Sequence, residues 1–146
     1  MLLFSQFLAT VSAGLFAGAA LYITLVEHPV RSLLDTRAAA TQWAPSYQRA
    51  TWMQAPLAVV GLLSGVAACL LGGGFGWLVG ALLIGAVVPI TFVIIMPTNH
   101  QLLEPGRDLS SAETRALLDR WGRLHVLRTV MSLLAFAAFV CLSYSA

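Results

Sequence analysis

Four stretches of roughly twenty residues, at about 3–26, 52–72, 76–96 and 123–143, are almost purely apolar. No acidic or basic residue precedes Glu27, the second and third stretches hold none, and the fourth holds only Arg123 and Arg128. Crossing the hydrocarbon of a bilayer takes about 20 apolar residues in an α-helix. Inside lipid the backbone has no hydrogen-bond partner but itself, so each stretch is expected to be helical. The 146-residue chain is 59% hydrophobic and 10% charged, against about 25% charged in an ordinary soluble domain. A chain this short cannot hide so much apolar surface in a water-soluble core. The expected fold is all-α: a single domain, residues 1–146, built as an up-down-up-down transmembrane four-helix bundle.

The eight basic residues are all Arg. A net charge of +2, divided among segments, gives no footprint for nucleic acid. The opening MLLFSQFLAT lacks the basic n-region of a signal peptide and reads as a retained first helix. Arg31, Arg37 and Arg49 lie in segment 27–51, and Arg107, Arg115, Arg120 and Arg123 in segment 97–123. An even number of spans puts both segments on one side. The positive-inside rule makes that side cytoplasmic, with both termini on the non-cytoplasmic side of the inner (plasma) membrane. Cys69 and Cys141 sit in apolar runs without metal-ligand spacing and read as buried thiols, with a disulfide as the minor alternative.

The uncharged LGGGFGW (71–77) reads as a tight hairpin. GLFAG (14–18), GLLSG (61–65) and GWLVG (76–80) have the GxxxG spacing that lets helix backbones approach closely. SSAE (110–113) fits a capping box with Ser110 as N-cap and Glu113 reaching back. One helix is therefore expected from about 111 to the end of the fourth span, its first turns projecting into the cytoplasm. Pro45 followed by Ser46 predicts a short interfacial helix and then a restart. Pro56 and Pro89 predict kinks.

The polar residues gather in one layer at the Arg-rich end. Glu27 and His28 close the first span, Tyr47, Gln48, Arg49, Trp52 and Gln54 lead into the second, Asn99 and His100 end the third, and His125 and Arg128 begin the fourth. At about 100° per residue, Trp121, His125, Arg128, Thr129 and Ser132 share one face, and Thr24, Ala20, Ala13 and Ser12 share the side of Glu27. Glu27 is thus expected to look inward at His125 and Arg128. In the plainest reading Glu27 is the counter-ion of Arg128, His28 marks the membrane edge and Asn99 closes a helix. Two functional readings stand beside it. Glu27, His28 and His125 form a tentative ligand set for a transition metal (Cu, Fe or Zn) with open positions. Without a metal, a histidine acts as base toward an acidic substrate, and Arg128 with Asn99 holds the oxyanion. His100 reads as a solvated interfacial residue.

EHPVR, YQRATWMQAPLA, VVPITFVIIMPTN and LLDRWGRLHVLR, in that order, resemble the anthrone oxygenase-like family of small four-helix membrane proteins. The matching positions are Glu27, His28, Pro29, Pro97, Thr98, Asn99, Trp121, His125 and Arg128, and His100 departs from the basic residue that often follows PTN. The resemblance implies oxidation of anthrones to anthraquinones with molecular oxygen. An anthrone has an acidic methylene beside a carbonyl, and its anion reacts with oxygen without haem or flavin. His28 or His125 would be the base, Arg128 with Asn99 the oxyanion partner, and Tyr47, Trp52 and Trp121 the aromatic slot. No flavin or nicotinamide fingerprint occurs.

These readings make the chain a membrane oxidoreductase, an oxygenase acting on an apolar hydroxylated aromatic at the cytoplasmic face. The alternative is a non-enzymatic subunit that binds a quinone or lipid or stabilises a partner protein. The expected partners are the lipid bilayer and an apolar aromatic small molecule; a homo-oligomer is compatible with the sequence. A transporter fits less well, because no inverted repeat is visible.

Overall fold

A computed structural model describes residues 1–144. Among the described residues, four helices are long and apolar enough to cross a membrane: α1 (Leu2–Ser32), α2 (Thr36–Gly73), α3 (Phe75–Leu102) and α4 (Ala112–Tyr144). Each helix packs along its neighbour in sequence, and α4 returns to α1, while the backbones of the diagonal pairs stay farther apart and α2 and α4 meet through long side chains at the Arg-rich end. This is the expected up-down-up-down bundle of a multi-pass membrane protein.

Small residues set the spacing between helices. Ala9, Ala13, Ala17 and Ala20 of α1 and Ala58, Gly61, Gly65 and Ala68 of α2 are buried. A Cβ on Gly65 would come 2.8 Å from that of Ala81, and one on Gly80 would overlap Phe139. The glycines therefore permit a backbone approach that alanine would block. Phe139 occupies the space so released and stacks on Trp77, ring centroids 5.2 Å apart. Large apolar side chains such as Leu3, Leu63 and Leu82 point outward, as a lipid-facing surface requires.

The α2–α3 hairpin turns on Gly72 and Gly74, both at positive φ, where glycine carries no Cβ penalty. At the opposite end the helices run past the apolar stretches. The first turns of α4 and of α2 form a second core with Ile23, Ile95 and Leu102, built around Trp43, Leu118 and Trp121. Asp35 caps α2 by accepting from the Ala38 N–H at 3.0 Å. Arg115 Nη2 donates to the Leu34 carbonyl at 2.6 Å, tying α4 to the α1–α2 turn.

Two local expectations are corrected. The N-cap of α4 is Ser111, whose Oγ accepts from the Thr114 N–H at 3.1 Å. Ser110 is engaged elsewhere: Asp108 accepts from its N–H, and its hydroxyl accepts from Arg37 Nε at 3.0 Å. Glu113 accordingly pairs with Arg107. Nor does α2 restart after Pro45. Its α-helical part runs unbroken from Thr36 to Ala68 with Pro45 and Pro56 inside it.

Proline acts instead on α1 and α3, and in the same way in both. Each widens into a π-helical turn, Ile23–Glu27 and Thr91–Ile95, that ends two residues before Pro29 or Pro97. Proline has no N–H to donate and its ring crowds the carbonyl four residues back, so the preceding turn widens. These two turns flank the polar layer.

Candidate functional site

Three helices each present one face to a cleft at the Arg-rich end. From α2 come Trp43, Tyr47, Thr51 and Gln54; from α4, Trp121, His125 and Arg128; from α1, Ile23, Glu27 and Arg31. On every helix these positions recur at three- and four-residue steps, the spacing that aligns side chains on one face. The cleft is tight, with a cavity of only about 10 Å³ left between its side chains. It adjoins a roomier apolar slot with a cavity of about 90 Å³, and Tyr47, Thr51 and Arg128 line both. Phe16, Ala58, Val87, Phe92 and Met96 complete the wall of the slot.

Two guanidinium groups are buried here. Arg31, 3% exposed, donates to Glu27 Oε1 and Gln42 Oε1 and lies 5.8 Å from the centroid of Trp121. Glu27 neutralises it in a helical i,i+4 pair. Arg128 donates to Gln54 Oε1 at 2.7 Å and sits 5.4 Å from the centroid of Phe16. Among the described residues it has no carboxylate partner. Four buried N–H groups on residues lining the cleft also lack an acceptor there: Arg31 Nη1, Trp43 Nε1, Gln54 Nε2 and Arg128 Nε. An uncompensated cation among orphan donors is costly unless an acceptor-rich or anionic group joins it.

His125 is 2% exposed, and its Nδ1 lies 3.1 Å from Thr24 Oγ1. Thr24 Oγ1 is in turn 2.7 Å from Thr129 Oγ1. The Trp121 ring stands 5.0 Å from His125 and 5.6 Å from His28. Trp43 stacks on Tyr47 at 5.2 Å and meets Trp121 edge-on at 5.8 Å, forming an aromatic wall.

Of the residues singled out in the sequence, His125, Arg128, Tyr47, Trp121 and Glu27 line this one cleft, and the others lie elsewhere or pair differently. Glu27 turns to Arg31 rather than to Arg128. Asn99 is fully buried behind Met96, its Nδ2 4.0 Å from the Met96 sulfur, and does not line the cleft. His28 packs against α4 where a Cβ on Gly122 would overlap its ring. The proposed metal set Glu27, His28 and His125 does not converge: among the described residues no group of three or more His, Cys, Asp or Glu is arranged to hold a metal ion. Trp52 is 84% exposed, and Trp43 stands in the aromatic wall instead. His100 is exposed, as expected.

Sequence reasoning did not assign Trp43 or Arg31 to the site. Both carried a signal. Arg31 lies four residues after Glu27, and Trp43, Tyr47 and Gln54 share a helical face that Trp52 does not.

The family model described as anthrone oxygenase matches residues 43–138. The chain is also 29% identical over 142 residues to the anthrone oxygenase tpcL of Aspergillus fumigatus, an alignment covering 89% of this chain and 87% of that protein. No solved structure matches the chain.

Proposed function

The chain belongs to the anthrone oxygenase family, and from that membership we propose that it is a membrane oxidoreductase that oxidises an anthrone-like ring methylene to a carbonyl with dioxygen. The observation that carries the reading is Arg128: a buried guanidinium without a carboxylate, set where an apolar slot meets a cleft of orphan N–H donors. The slot's apolar lining suits a flat apolar ring entering from the lipid, with the ring oxygen directed at Arg128, which lines both slot and cleft. Removing a methylene proton places negative charge on that oxygen, and the guanidinium stabilises the anion more than the neutral ring.

His125 is the base. It lines the cleft with Arg128, one helical turn away on α4. The ring anion passes electrons to dioxygen and forms a carbon–oxygen bond. Loss of water then leaves the second carbonyl. One oxygen atom enters the product and the other leaves as water, so the balance closes with dioxygen as the sole oxidant. The slot between α2 and α3 is lined by residues such as Phe92, 64% exposed on the lipid side, which gives an apolar ring a route from the bilayer. The positive-inside rule supports a cytoplasmic face for the Arg-rich end and with it the cleft.

The test is turnover by purified, chelator-washed protein in lipid nanodiscs, with anthrone as probe, following oxygen uptake and anthraquinone absorbance together. Turnover lost in Arg128→Gln and His125→Gln supports the reading. Saturable binding of a quinone with no oxygen uptake by the intact protein would overturn it in favour of a binding subunit.

A further inference from the structure

Four threonines in these helices share a local hydrogen bond that Thr24 does not make. Thr10, Thr41, Thr51 and Thr91 each donate their hydroxyl to the carbonyl four residues earlier, at 2.7–2.9 Å. For Thr24 that carbonyl would be Ala20, and there the Thr129 hydroxyl arrives from α4, at 3.2 Å. Thr24 lies in the widened π turn of α1 and reaches across to α4, 2.7 Å from Thr129 Oγ1 and 3.1 Å from His125 Nδ1.

We propose that Thr24 and Thr129 are positioning residues that fix the tautomer of His125, holding the proton on Nδ1 and leaving the Nε2 lone pair for the substrate. This inference rests on the reading of His125 as the base. The order of protons follows from the end of the chain. A carbonyl oxygen can only accept. Thr129 Oγ1 faces two carbonyls, Ala20 at 3.2 Å and His125 at 3.4 Å, so its single proton goes to one of them. Its oxygen must then accept from Thr24. Thr24 has one proton too, and with that proton directed at Thr129 its oxygen can only accept from the imidazole. Nδ1 is therefore the protonated nitrogen, and in a neutral ring Nε2 is the free base. The reverse order would set a hydroxyl oxygen against carbonyl oxygens with no proton between them. The chain joins two helices, so it also fixes the ring plane. Nε2 makes no hydrogen bond among the described residues.

The test reads the tautomer directly. Nitrogen-labelled histidine is introduced into the full chain in nanodiscs, and ring-nitrogen shifts are recorded at a pH high enough to keep the rings neutral, with His125 assigned by its loss in His125→Gln. The expected spectrum has a protonated Nδ1 and an unprotonated Nε2. Thr24→Val and Thr129→Val are expected to lose that signature in favour of an Nε2-protonated or mixed ring, while Thr24→Ser and Thr129→Ser retain it. A wild-type ring protonated on Nε2, or valine variants that leave the signature unchanged, would overturn the proposal. The unmutated protein decides the first point even where a valine variant fails to fold. The two readings separate cleanly. An Nδ1-protonated ring with a fully active His125→Gln would keep the relay and sink the base, and an Nε2-protonated ring with an inactive His125→Gln would do the reverse.

Discussion

Arg128 leans on a neutral amide: its guanidinium, 8% exposed, donates to Gln54 Oε1 at 2.7 Å and meets no carboxylate among the described residues. A hydrogen bond to a charged group contributes about 1.5–3 kcal/mol. A double-mutant cycle of Gln54→Leu and Arg128→Met, read by unfolding in detergent, is expected to show coupling of about that size. The matching cycle of Glu27→Gln with Arg128→Met is expected to be additive within about 0.5 kcal/mol, since the two share no partner. Strong coupling in the second cycle would contradict the observed pairing.

The three histidines differ in environment and should differ in effect. His125→Gln removes the proposed base and is expected to lower turnover about 10²–10⁴-fold. His100 is exposed and His100→Gln is expected to be silent. His28 packs on Trp121 without lining the cleft, so His28→Gln is expected to change stability more than turnover. Oxygen uptake and melting temperature on the same preparations check all three.

Gly122 allows the His28 ring to lie against the α4 backbone. Gly122→Ala raises helix propensity and in isolation would stabilise α4. Here the added methyl overlaps the imidazole, and overpacking of this kind costs about 1–3 kcal/mol. A lowered melting temperature is expected for Gly122→Ala and partial recovery in the His28→Ala/Gly122→Ala double variant. Unchanged melting in the single variant would count against the contact.

Trp43 and Trp52 are nine residues apart and serve opposite surroundings. Trp43, 1% exposed, stacks in the aromatic wall, while Trp52 is 84% exposed. Trp43→Ala is expected to cost about 3–5 kcal/mol and to abolish turnover. Trp52→Leu is expected to be near neutral in both measurements.

Orientation can be read by labelling. In protein lacking Cys69 and Cys141, Leu33→Cys and Glu104→Cys place thiols at the Arg-rich end and Phe75→Cys at the other. The positive-inside rule predicts that only the last reacts with an impermeant reagent added outside intact cells. The opposite pattern would invert the assignment.

Much of the site is written in helical phase. Trp121, His125 and Arg128, and separately Tyr47 and Gln54, recur at the helical spacing and face the cleft as that spacing demands. Helical spacing does not by itself choose between two faces of one helix or between two partners for one charge. Trp52 stands out of phase with Tyr47 and is exposed, whereas Trp43 is in phase and stacks on it. Glu27 has two candidate partners, Arg128 on another helix and Arg31 one turn away, and it pairs with Arg31. A local i,i+4 pair forms within one helix and needs no docking, so it competes well against a contact between helices.

By itself, then, the chain determined four spans, their alternating direction, one polar end and the inward face of α4. These follow from hydrophobic run length and a fixed helical period, which are properties of each segment alone. Only the tertiary structure decided that Arg128 meets Gln54, that Thr24 meets His125 and Thr129, and that Asn99 lies behind Met96. Such contacts depend on how far each helix is rotated and slid against its neighbours. Glycine and alanine contacts set that stagger, and the π turns before Pro29 and Pro97 alter the phase within α1 and α3. A shift of one residue along either helix would exchange every partner while leaving the sequence pattern intact.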